Sequence, residues 1–113
     1  MRVKRYCFDI DNTVCVTKGK NYKTAKPKKN IIKIINKLYQ QGNVIIFFTS
    51  RYMGRNSESV TKAKKMGYKS TYAQLLSWGL KFHKLIMGKP SYDVIIDDKS
   101  ICYNKSWYKK FKQ

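Results

Sequence analysis

Apolar residues in this chain gather into short runs, and the period of those runs changes along the sequence. Val3 to Asp9 alternates loosely and reads as a strand ending in polar residues. Residues 14–26 are polar around a Lys-Gly-Lys-Asn turn signal and read as a loop or a short hairpin. Pro27 suits the first turn of a helix. Ile31, Ile34, Ile35 and Leu38 then repeat at helical spacing, with Ile32 and Tyr39 widening the face and Gly42 as a stop. Val44-Ile45-Ile46-Phe47-Phe48 is continuous and β-branched or aromatic, as in a strand buried on both faces, and it runs into Thr49-Ser50-Arg51. Ser57 is placed to cap a helix carrying Val60, Ala63 and Met66, with Gly67 as its end. Thr71 to Leu80 reads as a further helix, Leu85-Ile86-Met87 as a strand, and Asp93 to Asp97 as a fourth strand. In the tail, Trp107, Tyr108 and Phe111 are placed to pack back as a short helix.

This order of strands and helices predicts an α/β domain built on a parallel sheet, with residues 1–113 forming one domain. In such sheets ligands bind beyond the carboxyl ends of the strands. The sequence sends Asp9 and Asp11, Thr49 and Ser50, Lys89, and Asp97 and Asp98 to such ends.

The carboxylates stand out against the charge of the whole chain. There are only 6 acidic residues against 25 Lys plus Arg, a formal charge of +19. Four of the acids nevertheless sit in two clusters, at Asp9/Asp11 and Asp97/Asp98, each closing an apolar run. Carboxylates crowded in this way repel unless a cation lies between them, and oxygen-only donors suit Mg²⁺. The positive charge would draw in phosphorylated substrates and suits a polyanion partner, nucleic acid or an anionic membrane surface. The bland alternative is compositional bias, since the lysines are spread along the whole chain. Cys7, Cys15 and Cys102 form no metal-binding spacing, and their odd number argues against a disulfide framework. No apolar run approaches the roughly 20 residues that span a bilayer, and no secretory signal is evident. A cytoplasmic protein is the expectation.

Two carboxyls two residues apart at a strand end can divide phosphoryl chemistry between them. One attacks phosphorus as a nucleophile, and the other protonates the leaving oxygen and then activates water. A lysine and hydroxyl or N–H donors complete a cradle for the phosphoryl oxygens. His83, the single histidine, starts an apolar run and is read as structural.

Asp9-Ile10-Asp11-Asn12-Thr13 resembles the DxDx[T/V] signature of the haloacid dehalogenase-like phosphohydrolases. Thr49 after an apolar run, Lys89, and the Asp97-Asp98 pair resemble that superfamily's later signatures, in order. The resemblance implies a three-layer Rossmann-like fold and a Mg²⁺-dependent phosphatase that works through an aspartyl-phosphate. By position, it implies Asp9 as nucleophile and metal ligand, and Asp11 as general acid/base with its main-chain carbonyl on the metal. It implies Thr49 as a phosphoryl hydrogen-bonder, Lys89 as charge compensation, and Asp97 and Asp98 as metal ligands, with the direct ligand of the pair left open. Asn12, Ser50 and Arg51 are candidate substrate contacts beside them; Arg55 is read as a solvated surface residue.

The intervals from Thr13 to Thr49 and from Thr49 to Lys89 are filled by the elements above, so no cap domain fits. The chain resembles capless members of the superfamily. Trp78-Gly79-Leu80, Gly88-Lys89-Pro90 and Tyr92 to Lys99 further resemble small phosphatases of capsule and surface-polysaccharide biosynthesis, which implies a sugar phosphate or a related metabolite. The acidic pair with Lys99 and a tryptophan-bearing tail also resembles polynucleotide 3′-phosphatases. A basic, non-catalytic binding module is the third reading. Trp78, Tyr72 and Trp107 suit a core and a homo-oligomer contact equally.

Overall fold

The structure, a computed structural model, describes residues 2–111. Its centre is a three-stranded parallel sheet of β1 (Arg5–Phe8), β4 (Val44–Thr49) and β5 (Lys84–Met87), in the order β1-β4-β5. A small antiparallel pair, β2 (Cys15–Val16) and β3 (Lys26–Pro27), closes the loop after β1. Two helices, α1 (Lys29–Gln40) and α2 (Val60–Ser77), complete a mixed α/β fold.

Strand alternation sends successive side chains to opposite faces. The register pairs Phe8 with Phe47 and Phe47 with Leu85, so these three share a face, and all are buried. Ile45 and Met87 extend the same buried face. Ile31, Ile32, Ile35 and Leu38 of α1 are buried, as the helical spacing predicts. The C-terminal end of α2 is tied to α1, because Asn36 Nδ2 donates to the Gly79 carbonyl at 2.8 Å and Lys81 N–H donates to Asn36 Oδ1 at 2.8 Å. The opposite face carries Cys7, Ile46, Phe48 and Ile86, which are half-buried or exposed. The apolar run at 44–48 is therefore not covered equally on its two sides.

The tail packs back as expected. Trp107–Phe111 forms a 3₁₀ turn, with Trp107 buried 6.2 Å from Phe8 and Phe111 edge-on to Tyr6 at 5.7 Å. His83 is structural: Ile45 N–H donates to its Nδ1 at 3.0 Å, and Tyr39 stacks on the ring at 4.7 Å. The three cysteines are unpaired.

The structure departs from the sequence reading in three places. Pro27 lies in β3 and α1 begins at Lys29. The two helices expected over 57–66 and 71–80 are one helix, capped by Ser59 rather than Ser57, with Ser59 Oγ accepting from Lys62 N–H at 3.3 Å. Gly67 does not end that helix, because an interior glycine costs only about 1 kcal/mol. Its missing side chain is filled by a neighbour: a Cβ there would sit 2.1 Å from the Tyr52 ring. Gly67→Ala therefore forces the ring to move and costs a net ~1–2 kcal/mol despite alanine's better propensity, read as a lower urea midpoint. An unchanged or higher midpoint would contradict the packing described.

The third departure matters most for the site. Residues 93–97 form no strand, and Val94, Ile95 and Ile96 are exposed, Ile96 at 94%. The reason is length. A parallel neighbour needs a crossover of about a dozen residues or more, and only residues 88–92 separate β5 from this run.

Candidate active site

Asp9 follows the last residue of β1, and its carboxylate is held from two sides. Thr13 Oγ1 donates to Asp9 Oδ2 at 3.1 Å, and Lys89 Nζ lies 3.6 Å from Oδ1. The turn that brings Thr13 back is made by Thr13 and Val14 N–H donating to the Ile10 carbonyl. Asn12, at φ 62°, takes the left-handed position in that turn, which asparagine tolerates better than most residues. Burial raises the Asp9 pKa above its ordinary value, and Asp11 adds to the rise. Lys89, Thr13 and the Ile10 backbone work against it without cancelling it.

Lys89 reaches Asp9 because its own backbone is pinned to β4: Lys89 N–H donates to the Thr49 carbonyl at 3.1 Å. Burial disfavours its ammonium, but the Tyr92 hydroxyl and Asp9 outweigh that, and its pKa ends above the usual lysine value. The sequence expectation that these two residues from distant strand ends meet is met in the geometry.

Asp11 is bound differently. Arg51 grips it with a two-pronged contact, Nε to Oδ2 and Nη2 to Oδ1, both at 2.9 Å. Thr17 Oγ1 donates to Oδ1 at 2.6 Å. Arg51 is only 2% exposed, and its third nitrogen, Nη1, donates to Gln74 Oε1 on α2 at 2.6 Å. Gln74 Nε2 in turn donates to the Tyr22 carbonyl at 2.7 Å. The Tyr22 ring lies 4.8 Å from the guanidinium. Arg51, expected as an open substrate contact, is instead buried and committed to Asp11, because a guanidinium taken out of water needs every donor matched.

The remaining candidates are placed as follows. Thr49 is buried at the end of β4, and its Oγ1 accepts from Arg51 N–H at 3.1 Å, leaving its hydroxyl proton free to donate elsewhere. Ser50 Oγ donates to the Pro90 carbonyl at 3.0 Å, which holds the loop after β5. Asn12 Oδ1 accepts from Thr17 N–H at 3.0 Å, and its carbonyl accepts from Tyr103 at 2.9 Å, so it supports the turn as arranged. Asp97 and Asp98 are exposed; Asp97 Oδ1 accepts from Lys99 N–H at 2.9 Å. Asp97 still acts on the strand that delivers Asp9: with burial first, it helps raise the Cys7 thiol pKa.

Whether these oxygens suit Mg²⁺ turns on how many are free. Among the described residues, no three His, Cys, Asp or Glu side chains gather into a metal-holding group. Arg51 and Thr17 hold the Asp11 carboxylate and leave Oδ2 with a single contact, so the oxygen it offers a metal is its main-chain carbonyl. Mg²⁺ is commonly held by one or two carboxylates plus substrate phosphate and water, not by an all-protein cage. The donor chemistry around Asp9 fits that mode.

Comparison with known proteins supplies a fold and nothing further. No family model matches the chain, and no curated protein matches it. The crystal structure of an MCSG target from Vibrio cholerae is similar to it, at TM-score 0.81 and 19% identity over 96% of each chain. That likeness shows a shared fold. Among the described residues, no helix is long and apolar enough to cross a membrane.

Sequence reasoning missed Thr17, Gln74 and Tyr22. Thr17 and Gln74 lie 6 and 23 residues from the partners they hold. No spacing rule links such positions; only the fold brings them together.

Proposed function

We propose that the chain is a Mg²⁺-dependent phosphatase of the haloacid dehalogenase-like type, capless and built on a three-layer Rossmann-like plan. It acts on a small phosphate monoester, and sugar phosphates are the class implied by the sequence resemblance. The observation that carries the reading is Asp9, a half-buried carboxylate with a raised pKa, set against Lys89 at 3.6 Å and two residues from a second, clamped carboxylate.

Asp9 attacks phosphorus, the bond to the leaving oxygen breaks, and an aspartyl-phosphate forms. Asp11 delivers the proton to that oxygen, then takes one from the water that cleaves the acyl phosphate. Oδ2 of Asp11 is the atom for this traffic. It accepts one contact from Arg51, whereas Oδ1 accepts both Thr17 and Arg51. Lys89 offsets charge on Asp9 and the incoming phosphoryl group, and the Thr49 hydroxyl donates to that group. Asp9, the Asp11 carbonyl and Asp97 or Asp98 would hold Mg²⁺, which would supply charge neutralisation and orientation of the phosphoryl oxygens. Asn12 and Ser50 hold the loops that border the phosphoryl group.

Phosphate release from a panel of monoesters, with and without Mg²⁺, tests the reading. Metal-dependent turnover is expected, and its absence on every member would sink the proposal. The charge of +19 favours a second reading, a phosphatase acting on nucleic-acid ends. Removal of a 3′-phosphate from an oligonucleotide in preference to every small ester would select it.

Lys89→Met should lower kcat/KM by about 10²-fold, from the loss of one preorganised charge. Lys89 holds the Asp9 pKa down, so its removal lifts that pKa further. A nucleophile must be ionised, so the acidic limb of the kcat/KM profile moves to higher pH in the variant. A limb that stays in place would separate Lys89 from Asp9.

A further inference from the structure

The Arg51 and Gln74 side chains that steady Asp11 also line a cavity of about 490 Å³, which the proposed reaction does not use. It is an open cleft, wide to solvent, with a volume in the range of small-ligand clefts. Tyr22, Tyr52 and Trp78 supply its aromatic walls, and Lys23 lies on its rim. None of the six acidic residues lines it. Tyr22 and Tyr52 meet edge-on at 5.0 Å, with the Arg55 guanidinium 4.8 Å from the Tyr52 ring. Trp78 packs against the core and is half-buried, and its remaining surface lines the cavity; among the described residues it has no ring or cation partner. The two serine hydroxyls of the wall are turned to the backbone of their own helix. Ser70 Oγ donates to the Gly67 carbonyl and Ser77 Oγ to the Gln74 carbonyl. Gln74 is committed at both ends of its amide. A flat aromatic ring would cover this aromatic wall more fully than a polyhydroxylated sugar ring would. An aromatic ring carrying negative charge would find stacking surface and cations.

We infer that this cavity binds the base of a nucleotide, stacked on Trp78, with its phosphate toward Lys23. The site is separate from Asp9, and occupancy does not depend on turnover there. The ligand is a free mononucleotide or the terminal nucleotide of a single strand.

Isothermal titration calorimetry without divalent metal tests it, using adenosine monophosphate, adenosine, glucose 1-phosphate, inorganic phosphate and a single-stranded trinucleotide. Adenosine monophosphate should bind saturably, at least about 10-fold tighter than adenosine. Glucose 1-phosphate and inorganic phosphate should bind more weakly still. Ala73→Trp fills the cavity from an exposed helix position and should abolish binding. Lys23→Glu, also exposed, should weaken the monophosphate about 10-fold and leave adenosine unchanged. Asp9→Asn should leave the affinity as it was. A trinucleotide that binds tighter than the monophosphate and is lost in Ala73→Trp names a strand end as the source; a weaker one names the free nucleotide. The inference fails if adenosine monophosphate does not bind, if glucose 1-phosphate binds as well, if both cavity variants keep wild-type affinity, or if Asp9→Asn removes binding.

Discussion

Asp9→Asn should abolish phosphate release, by at least about 10³-fold in kcat, while making the fold no less stable at neutral pH. The activity loss follows from the role: an amide cannot form the acyl phosphate. The stability result follows from linkage. Burial raises the folded-state pKa of Asp9 above the unfolded value. Between those two values the native state holds more protons than the unfolded state, so stability falls as pH rises through that window. Above the window the ionised side chain carries the full penalty, and a neutral amide removes it. Thermal unfolding at neutral pH should give an equal or higher Tm for the variant, with the advantage vanishing in acid. A Tm several degrees lower, with activity retained, would mean that Asp9 is a structural ion-pair partner of Lys89 and nothing more. A stable but inactive variant is the pattern expected where a site holds a group its fold would do better without.

Arg51→Ala should have the largest effect on stability, a loss of about 3 kcal/mol and a fall in Tm of roughly 10 °C. The guanidinium is buried and joins three elements: the turn after β1, the end of β4, and α2 through Gln74. Removing it leaves the Asp11 carboxylate without its counter-charge and Gln74 Oε1 without its donor, and the penalty comes from those groups. Arg51→Lys restores the charge but not the planar fork, so it should recover less than half of the loss. Both variants should also lower any phosphatase activity, because Asp11 loses the two-pronged contact that orients it. A chemical-denaturation midpoint within experimental scatter of wild type in Arg51→Ala would show that the contact adds nothing to the fold.

The sequence carried the frame of the molecule more faithfully than its closure. Ile31, Ile32, Ile35 and Leu38 announce α1 because a buried helical stripe repeats locally, and they are buried as their spacing requires. The run ending in Thr49 announces β4 for the same kind of reason. The approach of Asp9 and Lys89 was legible too, since neighbouring parallel strands bring their carboxyl ends to one edge. Three things were not legible. Gly67 looks like a helix stop until the Tyr52 ring is seen filling its missing side chain. Val94-Ile95-Ile96 has strand composition, but the short link after β5 denies it a parallel place in the sheet. Arg51 follows a strand as a substrate contact would, yet its partners lie 40 and 23 residues away and draw it inward. Local pattern specifies elements; commitments made across the fold decide which polar groups stay available.

Rapid quenching during turnover, followed by borohydride trapping and peptide mass analysis, reads the central chemistry directly. The account predicts an acid-stable, hydroxylamine-sensitive phosphoryl group on the side chain of Asp9, trapped as homoserine at position 9. Turnover with no trapped adduct at that residue, or with an adduct on another side chain, would contradict it.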